Sequence, residues 1–580
     1  KNSIEYFGRQ GSQSLLKFSN LIIRQLRADW RYVDSFGVQH AYEKTLFFYL
    51  RFYLHYWLMY LYIVSQAIKK HSPKCIYIDK CSFLNNLGAS ISDNNRIFGN
   101  LVRQYVESSN LDIKIIEEHE INHKPKVSKR NSFMVKHLFN AFMSTVLAIY
   151  RPFVKNKKVL LVAGDSYNML SLIDKIKTKD PKVFPIYINI NKSKFWQHLK
   201  NLLTGKEVFF SQNFDAGDVS SSLDDALLGF SSKVKKHKNI EIFNFFGVDL
   251  RRILSAYVAK SSIGEMALLE NSIKKMHGIF DVQKPCLALS QHALGYSYAL
   301  GEMCSIENIP SLLITHGTHT LQKEDKYAQI EWGEHAKTII NARFSHSAIQ
   351  SPIADEFFNS LDDKYSTGLK TGPLIYSRLK RDKSLPELKE WLIGKMHVDK
   401  KIIIHAGTPK GNSAIRPWVY ETIDEYVRNI NDLIDVVDSL KDVYLIVRFR
   451  PSEGLNKADF SKLVKPSDNY GIYSDDPFDD YLAASDLLVS YSSTTIEEAL
   501  QNDVVVLQYD HDDKYMHIQA PVIIEGQELD TNPIYYCGNK GELKNSINVI
   551  LKNIGLIKSE KHKWDLYRYP VDDKLEWLDK

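Results

Sequence analysis

The chain has 580 residues, 44% of them apolar and 25% charged, so it is a folded protein too long for one ordinary core. A net charge of +6 over this length, without any zinc-finger, RNP or basic-zipper pattern, argues against a dedicated nucleic-acid binder. The five cysteines, Cys75, Cys81, Cys286, Cys304 and Cys537, are scattered without CxxC or metal-ligand spacing, which fits a reducing cytoplasm.

No signal-peptide pattern opens the chain, and the missing initiator Met points to a trimmed start. The first strong pattern is "TLFFYLRFYLHYWLMYLYIVSQAI" (45–68). It is as long as a membrane span, but Arg51 and His55 interrupt it, and Tyr, Phe and Trp dominate it. A helix packed inside a large domain is therefore expected, with an interfacial helix as the second reading. "FMVKHLFNAFMSTVLAIYRPF" (133–153) invites the same pair. Strands are then expected at 75–79, 157–164, 183–189, 286–290, 311–318 and 337–342, with helical connections between them. Segments 360–376 and 377–391 suit a linker and a bridging helix. The last third reads as strand 400–408, helix 413–440, strand 443–451, short helix 478–486, strand 487–491, helix 494–502 and strand 504–509. Such alternation implies parallel sheets covered by helices, hence an α/β chain of two doubly wound Rossmann-type domains facing each other. The expected division is a helical, aromatic-rich extension (1–150) packed on a first domain (151–375), followed by a second domain (376–580).

In doubly wound sheets, ligands collect at the carboxyl ends of strands. Three stretches of the second domain converge there: "HAGT" (405–408), "RFRP" (448–451) and "SYSSTT" (490–495). They supply a small-residue loop, two arginines, and more hydroxyls than one helix cap needs. Arginine binds phosphate through a rigid fork, and glycine lets backbone approach closely. A nucleotide-phosphate site is expected from His405, Gly407, Thr408, Arg448, Arg450, Pro451, Ser492, Ser493 and Thr494, with Glu497 or Glu498 placed for a ribose or base. On the first-domain side, Asp165 in "LLVAGDSYN", His316 in "THGTHT" and His292 in "LSQHALG" are the catalytic candidates, weighed against an N-cap aspartate and hydrogen-bonded loop histidines. Glu302 is expected on the surface of a helix. "SDDPFDD" (474–480) reads as helix capping, and "HDDKYMH" (511–517) lacks a second cluster to complete a metal site. Walker, GxGxxG and GxSxG patterns are absent, which weighs against kinases, NAD enzymes and serine hydrolases.

The strand–"SSTTIEEAL"–strand ending, with a strand ending in Arg-Pro some forty residues earlier, resembles the donor half of GT-B glycosyltransferases. The likeness is to bacterial capsule and surface-polysaccharide enzymes that use CMP-activated sugars, of the Kdo and sialic-acid type, and to CDP-glycerol polyol-phosphate transferases. In that resemblance Arg450-Pro451 stands at a His-Pro position, with Arg replacing His, and Ser492-Ser493 stands at the serine pair that holds the cytidine nucleotide. "NIPSLLITHGTHT" (308–320), "SPIADEFF" (351–358) and "KTGPLIY" (370–376) are similar to the His-Gly and Gly-x-Pro landmarks of the same group. The likeness covers roughly 280–510; residues 1–150 match nothing nameable. It implies a GT-B-like fold and a metal-independent glycosyltransferase without a resident cofactor. The implied donor is a CMP-sugar, carrying Kdo or another ulosonic acid, and the acceptor a growing surface polysaccharide or lipid-linked glycan. A cytoplasmic location is expected, with peripheral association at the inner membrane left open. Two alternatives remain: a CDP-polyol phosphotransferase of the same fold, and a non-catalytic nucleotide- or sugar-binding subunit of an assembly complex.

Overall fold

The computed structural model describes residues 7–78, 97–117, 157–164, 167–188, 210–212, 219–315, 320–321, 326–376, 384–394, 399–407, 409, 419, 421–450, 455–474 and 477–579. It opens with helices α1 (Gly8–Asp29) and α2 (Gln39–His71). The aromatic stretch is α2. Its interrupting residues are paired inside the protein: Arg51 donates to the buried carboxylate of Glu331, and His55 Nε2 lies 2.8 Å from Ser19 Oγ on α1. Among the described residues, no helix is long and apolar enough to cross a membrane. Segment 133–153 lies outside the described residues.

The early strand β1 (Cys75–Ile78) pairs in parallel with β2 (Lys114–Glu117) in a small sheet of its own. Among the described residues, the first-domain sheet has seven strands. It consists of β3 (Lys158–Ala163), β4 (Val183–Ile188), β5 (Phe210–Gln212), β6 (Leu287–Ser290), β7 (Ser311–Leu313), β8 (His346–Ile349) and β9 (Thr367–Lys370). All its pairings are parallel, in the spatial order β9-β8-β7-β6-β3-β4-β5. Strand alternation divides β3 between two cores. Val159, Leu161 and Ala163 join the cluster that holds Leu15, Leu16 and Ile22 of α1 and Leu50, Leu54 and Trp57 of α2. Leu160 and Val162 face Met169, Leu172 and Ile176 of helix α3 (Tyr167–Lys179). The N-terminal helices thus cover one face of the sheet, burying apolar surface that would otherwise stay in water.

Two expectations need correction. Residues 337–342 are not a strand: helix α4 (Lys326–Ile339) runs through Lys337, and Trp332, Ala336 and Ile340 are buried at four-residue spacing. The strand of that region is β8. Glu302 is not on the surface. It is buried, its Oε2 accepts from Ala41 N at 2.9 Å, and burial pushes its carboxyl up to about 7.

The second domain holds β10 (Lys401–Gly407), helix α5 (Ile423–Asp438), β11 (Val443–Phe449), β12 (Tyr470–Tyr473), β13 (Leu487–Ser490), helix α6 (Thr495–Gln501), β14 (Val505–Tyr509) and β15 (Ile534–Cys537). Among the described residues its six strands are parallel, in the order β12-β11-β10-β13-β14-β15. Continuous runs such as Ile402–Ile404 and Leu487–Val489 are wholly buried, as a parallel sheet covered on both faces requires. The chain then returns. Leu575 and Trp577 pack into the core beside α3, and Lys179 Nζ donates to the Leu575 carbonyl at 2.8 Å. Gly372, at φ +65°, lies where this return segment crosses: a Cβ there would stand 2.5 Å from the Pro570 carbonyl oxygen. The architecture is α/β, two doubly wound domains, and the end of the 376–580 segment is built into the first of them.

Candidate active site

Numbered by chain order within each sheet, both domains run 3-2-1-4-5-6, the first with a seventh strand beyond. Strand order therefore reverses between β3 and β6 in one domain and between β10 and β13 in the other. A crevice opens at such a reversal because neighbouring connections leave on opposite sides of the sheet. The ends of β10 and β13 carry Gly407 and Ser490; those of β3 and β6 carry Gly164 and the Gln291–His292 turn.

Around the second-domain reversal, Ser490 Oγ donates to the Ala406 carbonyl at 2.7 Å, locking β13 to β10. Ser493 Oγ accepts from Thr495 N at 3.3 Å. Two of the surplus hydroxyls thus serve the fold, while Ser492 and Thr494 are half-buried on the same turn. His405 is 2% exposed, edge-on to Tyr426, and burial lowers its imidazole to about 3, so the ring is neutral. Arg450 is exposed just beyond the end of β11. Thr408 and Pro451 lie outside the described residues.

Two of the nucleotide-site candidates have defined contacts within the protein. The buried Glu497 carboxylate accepts from Ser351 Oγ at 3.1 Å and from the Tyr376 hydroxyl, so it links the two domains. Arg448 Nη1 donates to the Tyr473 carbonyl at 3.1 Å, and its guanidinium lies over the Tyr481 ring, which turns it toward the edge strand β12.

In the first domain, Gly164 has φ +121°, and a Cβ there would stand 3.2 Å from Gln291 Oε1. The turn after β6 is tied by Ser290 Oγ, which donates to the His292 carbonyl at 2.6 Å, leaving His292 exposed at the reversal. Asp165 and His316 lie outside the described residues. The loops at the carboxyl ends of the two sheets meet. Thr320, beyond β7, donates to the His517 carbonyl beyond β14. Val419, Tyr491 and Tyr515 of the second domain are buried in the first domain's apolar cluster.

Sequence reasoning misses a buried polar cluster beneath Gly407. Glu421 Oε1 accepts from Asn429 Nδ2 at 2.7 Å, and burial pushes its carboxyl up to about 8. Beside it the Lys514 ammonium lies 2.5 Å from Glu425 Oε1, with both side chains almost wholly buried, and 5.2 Å from the centroid of Tyr491. Asp510, raised by burial, accepts from the amides of Asp512, Lys514 and Tyr515. The "HDDKYMH" stretch supplies the lysine. Its other polar groups are also engaged: His511 with Asp432, Asp512 with Arg428, and Asp513 with Tyr536. A lysine inside a Tyr- and Asp-rich turn is the one available sign of this cluster.

No protein-family model and no curated protein matches the chain. Among solved structures, it is similar to UDP-GlcNAc 2-epimerase from Neisseria meningitidis bound to UDP-GlcNAc, at 12% identity and TM-score 0.42, covering 73% of this chain and 98% of that one. The S. aureus MnaA–UDP structure gives 13%, 0.41, 73% and 95% in the same order. A variant of the wall teichoic acid polymerase TagF gives 13%, 0.38, 77% and 96%.

Proposed function

We propose that this chain is a cytidine-nucleotide-dependent transferase of bacterial surface-glycan assembly. It would take a CMP-activated sugar, Kdo or another ulosonic acid, and pass it to a growing polysaccharide or lipid-linked glycan. The observation that carries the reading is the pair of reversal points, with Gly407, the Ser492–Thr494 turn and His292 next to the strands that form them and the loops of the two domains meeting above. The nucleotide would sit at the β10/β13 reversal, over Gly407 and the Ser492–Thr494 turn, with Arg450 toward a phosphate. The acceptor hydroxyl would attack the anomeric carbon as the bond to the CMP phosphate breaks. CMP leaves as the anion, and Asp165, His316 or His292 takes the acceptor proton. No metal enters this scheme, and neutral hydrogen-bond donors with Arg450 would stabilise the leaving phosphate.

The test is nucleotide binding followed by turnover. Thermal shift and titration with CMP, CDP, UDP and GDP should single out the cytidine nucleotides, and CMP-ulosonic acid with acceptor should release CMP. Release of CMP from CDP-glycerol, with glycerol phosphate passed to the acceptor, would move the reaction to polyol-phosphate transfer. Binding with no turnover of either donor would make the chain a binding subunit.

A further inference from the structure

Gly407 ends β10 at the reversal point, and its missing side chain leaves no Cβ between the strand end and the buried cluster below it. A Cβ at this position would stand 3.3 Å from Glu421 Oε2 and 3.3 Å from His405 Cε1. Glu421 Oε1 is taken by Asn429, so Oε2 is the oxygen that faces the glycine. Around it, His405 Nδ1, Tyr426 Oη and Asn429 Oδ1 are buried without hydrogen-bond partners among the described residues. Buried polar atoms are nearly always paired, and leaving one unpaired costs about 1–3 kcal/mol. Three of them around one carboxyl, under a side-chain-free strand end, mark a place built to receive polar atoms from outside the fold.

We propose that Glu421 is a ligand-binding residue of the phosphate subsite, its carboxyl donating one hydrogen bond past Gly407 to a phosphate oxygen of the bound nucleotide. The inference rests on the nucleotide reading above. A carboxyl kept neutral can donate, and a bond from O–H to an anionic oxygen is short and strong. Once ionised, the same group would set a buried negative charge against the phosphate. The surroundings favour the acid form at neutral pH. Burial acts first; then Glu425 and Asp510 raise the carboxyl, while Asn429 and Lys514 lower it. Tyr426, Tyr491 and the neutral His405 complete the shell.

The sign follows from linkage. If the nucleotide binds the acid form, affinity is full below pH about 8 and falls about tenfold for each pH unit above it. The phosphate itself, with a second ionisation near pH 6, does not titrate in that window. The experiment is calorimetric titration of the full chain with CMP and with CDP at pH 7 and pH 9, in two buffers of different ionisation enthalpy, for wild type and Glu421→Gln. Expected for wild type is about tenfold weaker binding at pH 9, with uptake approaching one proton per nucleotide. Glu421→Gln keeps a donor and cannot ionise, so its affinity should not change between the two pH values. Equal decline in both proteins, or wild-type binding at pH 9 without proton uptake, overturns the role of Glu421 and leaves the nucleotide reading standing. Absence of CMP and CDP binding by folded wild type at pH 7 overturns both. Should the variant not fold, wild-type proton uptake alone decides.

Discussion

Lys514→Met should destabilise the second domain severely, although it replaces a buried charge with an apolar chain of similar reach. The ammonium is the partner of Glu425 Oε1, at 2.5 Å, in a place where the two side chains are 2% and 3% exposed. Glu425 Oε2 also accepts from Thr422 N at 2.6 Å, within the capping box that starts α5. Without the lysine, the carboxylate keeps that amide but loses its counter-charge, and it remains buried near Glu421 and Asp510. Breaking one side of a buried pair costs about 3–5 kcal/mol, because the remaining charge is uncompensated. For a domain of this size about 2–4 °C of melting temperature is lost per kcal/mol, so the fall should be about 6–20 °C. Adding Glu425→Gln removes the stranded charge while keeping an oxygen for Thr422 N, and it should restore most of the loss. Thermal and urea unfolding of wild type, both single variants and the double variant give the coupling directly. A Lys514→Met protein within about 1 kcal/mol of wild type would refute the reasoning, because it would mean the pair is effectively solvated.

Arg450→Ala should weaken CMP binding by about 1.5–3 kcal/mol, the range for a hydrogen bond to a charged group, with little change in melting temperature because the side chain is exposed; superimposed titrations would remove it from the site. Asp165→Asn should leave CMP affinity nearly unchanged while turnover at saturating donor falls about 10²–10⁴-fold, and near-wild-type turnover in a folded variant would move the proton acceptor to His316 or His292. Glu302, whose folded value of about 7 lies above its ordinary 4.5, binds its proton more tightly in the native state, so its contribution is complete below pH about 4.5 and is lost as pH rises to about 7; Glu302→Gln should flatten that slope in urea unfolding, and an unchanged slope would count against the burial argument.

What can be read in the sequence depends on how far each signal extends along the chain. β10 and β13 are visible because strands buried on both faces must be apolar at every position, as Ile402–Ile404 and Leu487–Val489 are. β9 (Thr367–Lys370) is not, because it is a short, largely exposed edge strand with a glycine in it. At 337–342 the local composition suits a strand, but Trp332, Ala336 and Ile340 share a helical face that begins outside that window. Leu575 and Trp577 carry no periodicity that would send them to the first-domain core. The return segment that brings them there crosses Gly372 at Pro570, positions nearly two hundred residues apart.

The site divides in the same way. Glycine at a strand end and clustered hydroxyls state a backbone requirement that is local, so Gly407 and the Ser490–Thr494 turn can be found. Charged side chains do not, because their role is set by whichever partner folding brings to them. Glu497 and Glu498 look alike in the sequence, yet Ser351 and Tyr376 commit Glu497 to the domain junction. Glu421 escapes notice for the converse reason: an acid just ahead of a capping box reads as a solvated helix entry. Tyr426, Asn429, Tyr491 and Lys514, drawn from three separate segments, close over it instead. Burying an acid there without a full counter-charge is costly unless the acid stays protonated, and a protonated acid is a donor. A cluster that holds a donor under a side-chain-free strand end, at the reversal point of a parallel sheet, is suited to meeting an anion. This physical link ties the missed residue to the hydroxyl turn that the sequence does reveal.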